Sequence, residues 1–183
     1  MDRQIVIETT RRWISSVVIA LNLCPFARRV FQTEKIRYVV SDARNETALR
    51  QDLGNELKAL ASATFSDFET TLLIHPCALV NFLDYNDFLG EGERLIEELG
   101  LRGTIQIASF HPDYQFAGTD SAAPENYTNR SPYPMLHLLC ERSISELAIA
   151  PAELLEISGR NIATLRDLGT AKILEKLESI RPV

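Results

Sequence analysis

Two histidine–proline pairs are the residues whose type and position first suggest chemistry. His75-Pro76 and His111-Pro112 each follow a short apolar run. A residue before proline is held extended and the proline ends the ladder of a strand, so each histidine is predicted at the carboxyl end of its strand. Ligands of open α/β sheets bind along that edge. If the two strands are neighbours, the imidazoles should lie within about 5 to 10 Å of each other, because adjacent strands are about 5 Å apart. The alternative for His75 is a cap on a helix that starts beyond Pro76.

The segment after the second histidine collects polar groups that a catalytic site needs. It brings together an imidazole, a carboxylate, a phenol and an amide outside any amphipathic pattern, from His111, Asp113, Tyr114 and Gln115. This mixture predicts a loop in which His111 is a general acid or base oriented by Asp113, while Tyr114 and Gln115 contact the substrate. A buried polar network of structural purpose is the alternative.

A second polar cluster precedes a predicted helix over residues 131–147. Its members are Tyr127, Asn129, Arg130 and Ser131. Pro132 then suits the first turn of that helix. Free backbone amides at a helix start, beside the donors of Arg130, would bind the phosphate or carboxylate group of an anionic substrate. A capped helix without any ligand is the alternative, and the sequence alone does not decide between the two.

Cysteine and histidine residues elsewhere offer a nucleophile or metal ligands. Cys24 lies in the turn after the first helix, where a thiol near His111 or His137 would be a nucleophile; a small buried apolar group is the alternative. His137 and Cys140 are three residues apart on the predicted helix, a spacing that could ligate a metal. Cys140 is better explained as core, and for His137 a metal ligand and a buried core histidine are both left open. The metal candidates are therefore His75, His111 and His137. The chain has no CxxC, HExxH, GxSxG, Walker or dinucleotide-binding motif, so no particular cofactor is predicted.

Alternating helix and strand patterns indicate the fold that would position these residues. Helical spacing covers residues 2–21, 46–61 and 79–99, the last closed by Gly100, and β-rich runs cover 36–40, 69–74 and 104–110. Residues 116–130 are typical of a polar loop, and 152–180 of further helix interrupted near Gly159 and Gly169. The alternation predicts a single α/β domain over residues 1–183, with a small, at least partly parallel sheet of three or more strands, helices packed on it and a helical C-terminal third.

The composition argues against several classes of protein. With 183 residues, 45% of them hydrophobic, the chain can bury a core without disulfides. Its net charge of −6 argues against nucleic acid and anionic membrane as partners. Three cysteines, an odd number, favour a reducing compartment, and a cytoplasmic location is expected. An apolar stretch over residues 13–23 follows Arg11-Arg12 as in an export signal, but its polar residues and the bulky Leu23 before Cys24 argue against export. The oligomeric state is left open.

Three long motifs carry a resemblance to a known family. They are NLCPFA from Asn22, SFHPDYQFAG from Ser109 and NRSPYPMLHLL from Asn129. Together with the segments TLLIHP, FLDYNDFL and RNIATLR, they resemble the bacterial domain-of-unknown-function family numbered 1415, over residues 13–169. The resemblance implies a stand-alone cytoplasmic domain of this size, and it implies no activity. Cys140 stands where the family usually has a basic residue, which weakens a metal site there.

Three functions follow as hypotheses. The first is a small cytoplasmic enzyme, a hydrolase or a transferase, that acts on an anionic small molecule through His111, Asp113 and Arg130, with acid–base or metal-assisted chemistry and Cys24 as a further nucleophile. The second is a binding module without catalysis that holds a phosphate or carboxylate metabolite. The third is a structural adaptor protein. Both site hypotheses require that His111, Asp113, Arg130 and Cys24 line one pocket.

Overall fold

Helices and strands alternate along most of the chain. The computed structural model describes residues 1–64, 67–141 and 151–180, with the side chains of 151–155 excepted. The elements within these ranges are α1 (Arg3–Trp13), which continues as a π-helical segment (Ile14–Ile19), α2 (Ala27–Gln32), β1 (Ile36–Val40), α3 (Glu46–Ser62), β2 (Thr70–Ile74), α4 (Phe82–Glu98), β3 (Ile105–Phe110), a 3₁₀ turn (Pro124–Thr128), β4 (Met135–Cys140), α5 (Pro151–Leu168) and α6 (Thr170–Ser179).

The four strands form one mixed sheet in the order β1-β2-β4-β3. β1 and β2 pair in parallel, whereas β4 runs antiparallel to both of its neighbours, β2 and β3. β2 and β3 therefore point the same way but do not touch. The predicted α/β class, with a partly parallel sheet and helices at the C-terminal end, is confirmed.

The inner strand β4 is where the prediction was wrong. A helix was expected over residues 131–147, but Met135–Cys140 is a strand, and residues 142–147 lie outside the described residues. A short apolar run is compatible with a buried strand as well as with a buried helix, and periodicity does not separate the two. Pro134 stands directly before the strand. Because β4 lies between β2 and β3, these two strands are not neighbours, and the condition for the short distance expected between the two imidazoles is not met.

The two faces of the sheet carry different cores. The face covered by α3 and α4, called the α3/α4 face here, buries leucines that include Leu53, Leu73, Leu136 and Leu138. The opposite face, called the α1/α5 face, is covered by α1, the π-helical segment, α5 and α6. Its core residues include Trp13, Val17, Leu72, Met135, Leu165 and Ile173. Successive residues of each strand point to opposite faces, which is why Leu72 and Leu73 belong to different cores.

The helix α4 begins three residues later than the pattern predicted. Leu79 has a positive φ of 52°, which a helix does not accommodate, and the Asn81 side chain accepts the backbone N–H of Leu83 as an N-cap. The other end was predicted correctly, because α4 closes at Gly100 with a φ of 68°.

In the described ranges, no helix has both the length and the apolar character that a bilayer span requires.

Candidate functional site

The carboxyl edge of the sheet holds the two histidines that the sequence singled out. β2 ends before His75 and β3 before His111, so both lie at that edge as predicted. β4 separates their strands, yet both imidazoles contact the ring of Tyr85 on α4, with centroid distances of 5.8 Å and 5.1 Å. The histidines therefore meet through an aromatic ring that the sequence reasoning did not select.

His111 uses both ring nitrogens in bonds within the protein. Its Nδ1 accepts the backbone N–H of Asp113 at 3.0 Å, which leaves Nε2–H to donate to the carbonyl of Leu79 at 3.2 Å. The side chain is fully buried, and burial lowers its pKa. The exposed Asp113 side chain does not orient the ring as predicted, because the bond comes from its backbone amide. These contacts tie two loops together.

The other groups at this edge are also used internally. His75 donates from Nδ1 to the carbonyl of Ala78 at 3.0 Å, so it closes a turn well before α4 begins. Burial lowers the pKa of His75 to about 4, and its ring is neutral at neutral pH. The Tyr85 hydroxyl donates to the carbonyl of Met135 and accepts the N–H of Phe110, each at 2.9 Å. Tyr85 thereby joins the ends of β4 and β3.

Arg130 is engaged by the loop that precedes it. Its Nε donates to the carbonyl of Tyr114 at 3.1 Å, and its Nη2 donates to that of Ser121 at 2.7 Å. The guanidinium also lies over the Tyr127 ring, 4.4 Å from the centroid. Because these donors hold the loop backbone, the predicted grip on an anionic group would require them to exchange partners.

The remaining predicted substrate-binding residues fasten the same loop. Asn129 donates to the carbonyl of Ser109 at 2.9 Å, and the Ser131 hydroxyl donates to that of Tyr133 at 2.7 Å. Gln115 donates to the carbonyl of Thr119 at 2.7 Å. The segment runs into β4 rather than a helix, so the predicted helix-start anion site lacks its helix.

One buried residue in this loop was missed. The Asn126 side chain is fully buried, accepts from the N–H of Phe116 and the hydroxyl of Thr119, and donates to the carbonyl of Asp120. A buried asparagine with three internal bonds organises a loop from inside. Its place within a run of loop-forming residues was the only available signal.

A cavity of about 340 Å³ lies on the α1/α5 face of the sheet, towards the amino ends of β1 and β2. Its surface is almost wholly apolar, and the apolar walls include Trp13, Ile14, Val18, Leu72, Ala108 and Phe110. Neither His111 nor Arg130 lines it. This apolar hollow thus lies away from the edge at which a ligand was predicted.

The floor of the cavity carries one imidazole. His137 stands on the inner strand β4, directly opposite Leu72 and Ala108 on its two neighbours. All three residues line the cavity, and His137 stays partly exposed although its strand is in the middle of the sheet. Phe110 lies beside it, with ring centroids 6.2 Å apart, and Trp13 packs against the same Phe110 at 5.3 Å.

The hydrogen bonds of Thr70 fix the protonation pattern of this histidine. Thr70 Oγ1 donates to the carbonyl of Leu138 at 2.6 Å and lies 2.7 Å from His137 Nε2. A hydroxyl has one proton, so Thr70 must accept the second bond, and the proton of that bond belongs to Nε2. Burial lowers the pKa of His137 to about 4. The ring is therefore neutral at neutral pH, with its lone pair on Nδ1.

The cysteines Cys24 and Cys140 also line this cavity. Cys24 is thus on the α1/α5 face, whereas His111 contacts α4 on the α3/α4 face, and the structure does not bring the two together. Burial raises the pKa of the Cys24 thiol, despite backbone N–H groups of Phe26 and Ala27 directed at it. The thiol is then protonated at neutral pH, a form that is a poor nucleophile.

The metal candidates are divided in the same way. His75 and His111 lie against Tyr85, while His137 faces the cavity on the other side of the sheet. Across the described part of the chain, no three histidine, cysteine, aspartate or glutamate side chains group as metal ligands would. The predicted set of His111 with His137 is therefore not assembled.

Two charged residues in the cavity wall neutralise each other. Arg29 and Glu69 both line the cavity, and Arg29 Nη1 donates to Glu69 Oε1 at 2.8 Å in a two-bond ion pair. A ligand in this space would meet a paired guanidinium and carboxylate and, on the floor, a neutral imidazole.

Taken together, the fold and the site define an α/β protein with a four-stranded mixed sheet, helices on both faces and an apolar cavity on one face. The model of the family described as "Protein of unknown function (DUF1415)" matches residues 5–175, so the chain belongs to that family, as its motifs predicted. Comparison with curated proteins and with solved structures gave no match.

Proposed function

We propose that this protein binds a small, mainly apolar molecule in the cavity on the α1/α5 face. The observation that carries the proposal is a hollow of about 340 Å³ with almost entirely apolar walls. Ligand pockets are typically lined by apolar and aromatic side chains with a few polar groups. Trp13, Phe110 and His137 supply that combination here.

The size of the cavity sets the size of the ligand. An apolar cavity of about 150 Å³ holds one benzene molecule. At about 340 Å³, this cavity would accommodate roughly twice that volume, such as two fused rings or one ring with a short alkyl chain. Side chains that line an open apolar hollow also make fewer dispersion contacts than side chains in a filled core. A ligand would supply such contacts.

The charges around the cavity favour an uncharged ligand. Burying an ionised group without a partner costs about several kcal/mol or more. Arg29 and Glu69 are already bonded to each other, and the His137 ring is neutral. An uncharged ligand differs from the anionic substrate of the enzyme hypothesis and from the phosphate or carboxylate metabolite of the binding-module hypothesis.

The enzyme hypothesis stays a prediction. It places an anionic substrate on His111, Asp113 and Arg130, whose bonds to loop backbone instead support a structural role. Binding in the cavity does not require these hydrogen bonds to be broken. We therefore prefer the binding module to the enzyme.

The fluorescence of Trp13 tests the proposal. Trp13 is the only tryptophan of the chain and lines the cavity, so a bound molecule should change its emission. Titration with para-propyltoluene, a ring with a short alkyl chain, should give a saturable change with one molecule bound. Ala108→Phe would fill the cavity from β3 and should abolish the saturable change while the protein stays folded.

A matched control addresses adhesion to the surface. Leu83 is 71% exposed and is the kind of side chain to which an apolar probe would adhere. Leu83→Ser should leave the titration unchanged. Absence of saturation in the unaltered protein, or loss of it in Leu83→Ser but not in Ala108→Phe, would overturn the proposal.

A further inference from the structure

We propose that the ligand of the cavity carries a neutral hydroxyl group, a phenol or an alcohol, which donates its hydrogen bond to Nδ1 of His137. The inference rests on the proposed function and names the chemical class of the ligand at the same site. It assigns His137 as the residue that determines specificity and Thr70 as the residue that positions it.

The first step is the direction of the His137 bonds. The carbonyl of Leu138 takes the only proton of the Thr70 hydroxyl, so Nε2 of His137 must donate to Thr70. Nδ1 is then an acceptor only, and it makes no hydrogen bond with any residue in the described part of the chain. A ligand atom facing Nδ1 has to bring a proton.

The second step is the place of this acceptor in the cavity. Leu72 and Ala108 flank His137 on the neighbouring strands, and both are apolar. Phe110 lies against the ring on one side. The Nδ1 lone pair is therefore an acceptor among apolar neighbours, and the Trp13 Nε1–H in the cavity wall is a donor without a partner in the described residues. A molecule with an apolar body and one hydroxyl group, which can both donate and accept, fits these groups.

The third step is the choice among donors. A carboxylate has no proton to give, and a phosphate dianion or an ammonium group would bring an unpaired charge into an apolar space. A neutral hydroxyl donates one bond at small desolvation cost and leaves the ring neutral. Phenols and alcohols fit these requirements best.

Two probes of nearly equal shape separate the hydroxyl from the apolar body. In para-propylphenol a hydroxyl replaces the ring methyl group of para-propyltoluene. Both would be titrated into the unaltered protein and into His137→Phe, with Trp13 emission excited at its red edge, where phenols absorb little. The measured quantity is the ratio of the two dissociation constants, toluene over phenol.

The expected result is a fall of that ratio by about tenfold or more in His137→Phe, because a buried hydroxyl without a partner loses its hydrogen bond and keeps its desolvation cost. Affinity for para-propyltoluene should be nearly unchanged. Thr70→Val, which frees the ring to move its proton, should lower the ratio about threefold, and Thr70→Ser should restore it. A merely structural role of Thr70 would weaken both probes equally.

A second measurement does not depend on these variants folding. In the unaltered protein, the nitrogen NMR resonance of His137 Nδ1 should be that of an unprotonated nitrogen and should shift when para-propylphenol, but not para-propyltoluene, is added. Binding of both probes with an unchanged ratio in His137→Phe, or with no selective shift of Nδ1, would overturn this inference and leave the proposed function intact. If neither probe binds the unaltered protein, both proposals are overturned.

Discussion

The two faces of the sheet differ in how they use their space and their polar groups. On the α3/α4 face, leucines from two helices and two strands are buried, and Tyr85, His75 and His111 bond to backbone at its edge. On the α1/α5 face, the core surrounds a hollow of about 340 Å³ whose floor presents an acceptor without a partner in the described part of the chain. The α3/α4 face is packed, whereas the α1/α5 face has space for a ligand.

On these two faces, a candidate site differs from scaffolding less by residue type than by whether its donors and acceptors already have hydrogen-bond partners. His111 and Arg130 have the chemistry of catalysis, but their donors and acceptors are used by nearby backbone groups. His137 sits in an apolar run and lines the cavity with one ring nitrogen unbonded, whereas the unbonded Nε2 of His75 is buried outside the cavity. Four predictions test this contrast, beginning with the largest effect.

Neighbouring leucines of β4 should differ in the cost of truncation. Leu138 is fully buried on the α3/α4 face, whereas Leu139 is partly buried and lines the cavity. Leu138→Ala should lower the free energy of unfolding by about 3 to 5 kcal/mol. Leu139→Ala should lower it by only about 1 to 2 kcal/mol, because the Leu139 side chain borders the cavity and has fewer contacts to lose. Urea unfolding measures both. Equal costs would mean that the space beside Leu139 is as full as that beside Leu138.

Acid should destabilise the protein through its buried histidines. The pKa of His75 and that of His137 are each lowered from 6.5 to about 4, so the unfolded chain binds protons in this interval that the folded chain does not. Stability is full above about pH 6.5 and falls as the pH drops towards 4, by up to about 3 kcal/mol for each histidine.

The loss of stability in acid should come from one histidine on each face of the sheet, and a variant can separate the two contributions. Urea unfolding across this pH range should show a steep dependence in the unaltered protein and a shallower one in His137→Phe, which has lost one of the two groups. An identical slope in the variant would show that His137 is not buried in its neutral form.

Removal of the Tyr85 hydroxyl should lower the stability of the protein through the α3/α4 face. Tyr85→Phe leaves the carbonyl of Met135 and the N–H of Phe110 without their partner, which should cost about 2 kcal/mol. Tyr114→Phe is the matched control, because that hydroxyl accepts only a long bond from Ser109 at 3.3 Å, and it should cost less than about 1 kcal/mol. Similar losses in thermal unfolding would argue against a special role of Tyr85.

The smallest effect is expected at Asp113. Its side chain is exposed, and the bond to His111 comes from its backbone, so Asp113→Asn should change stability by less than about 0.5 kcal/mol and leave probe binding unchanged. The histidine NMR titration of His111 provides the readout. A large shift there would restore the carboxylate as the partner of the imidazole and favour the enzyme hypothesis.

Most of the fold could be predicted from local patterns. Residues 36–40 were placed exactly as β1 is, and the ends of β2, α3 and β3 were placed within one residue, because alternating and helical apolar spacing survive in the sequence. β4 was missed because its six residues are apolar on both faces except for His137, a pattern with no period to read.

The candidate site could be predicted only in part. The sequence correctly placed His75 and His111 at the carboxyl edge, but it could not show that the Tyr85 ring contacts both imidazoles or that Leu79 and the loop backbone bond to His111. A cavity has no local signal, since it arises where Trp13, Ala108 and His137, far apart in the chain, fail to fill the space between them. Only the packing of distant segments reveals it.

A crystal structure of the protein with para-propylphenol tests the central claim most directly. We expect the ring in the hollow between Trp13, Leu72 and Phe110, with its hydroxyl oxygen within about 3 Å of His137 Nδ1. Density for the molecule at the His111 edge or on the surface, with the hollow filled by protein side chains, would contradict it.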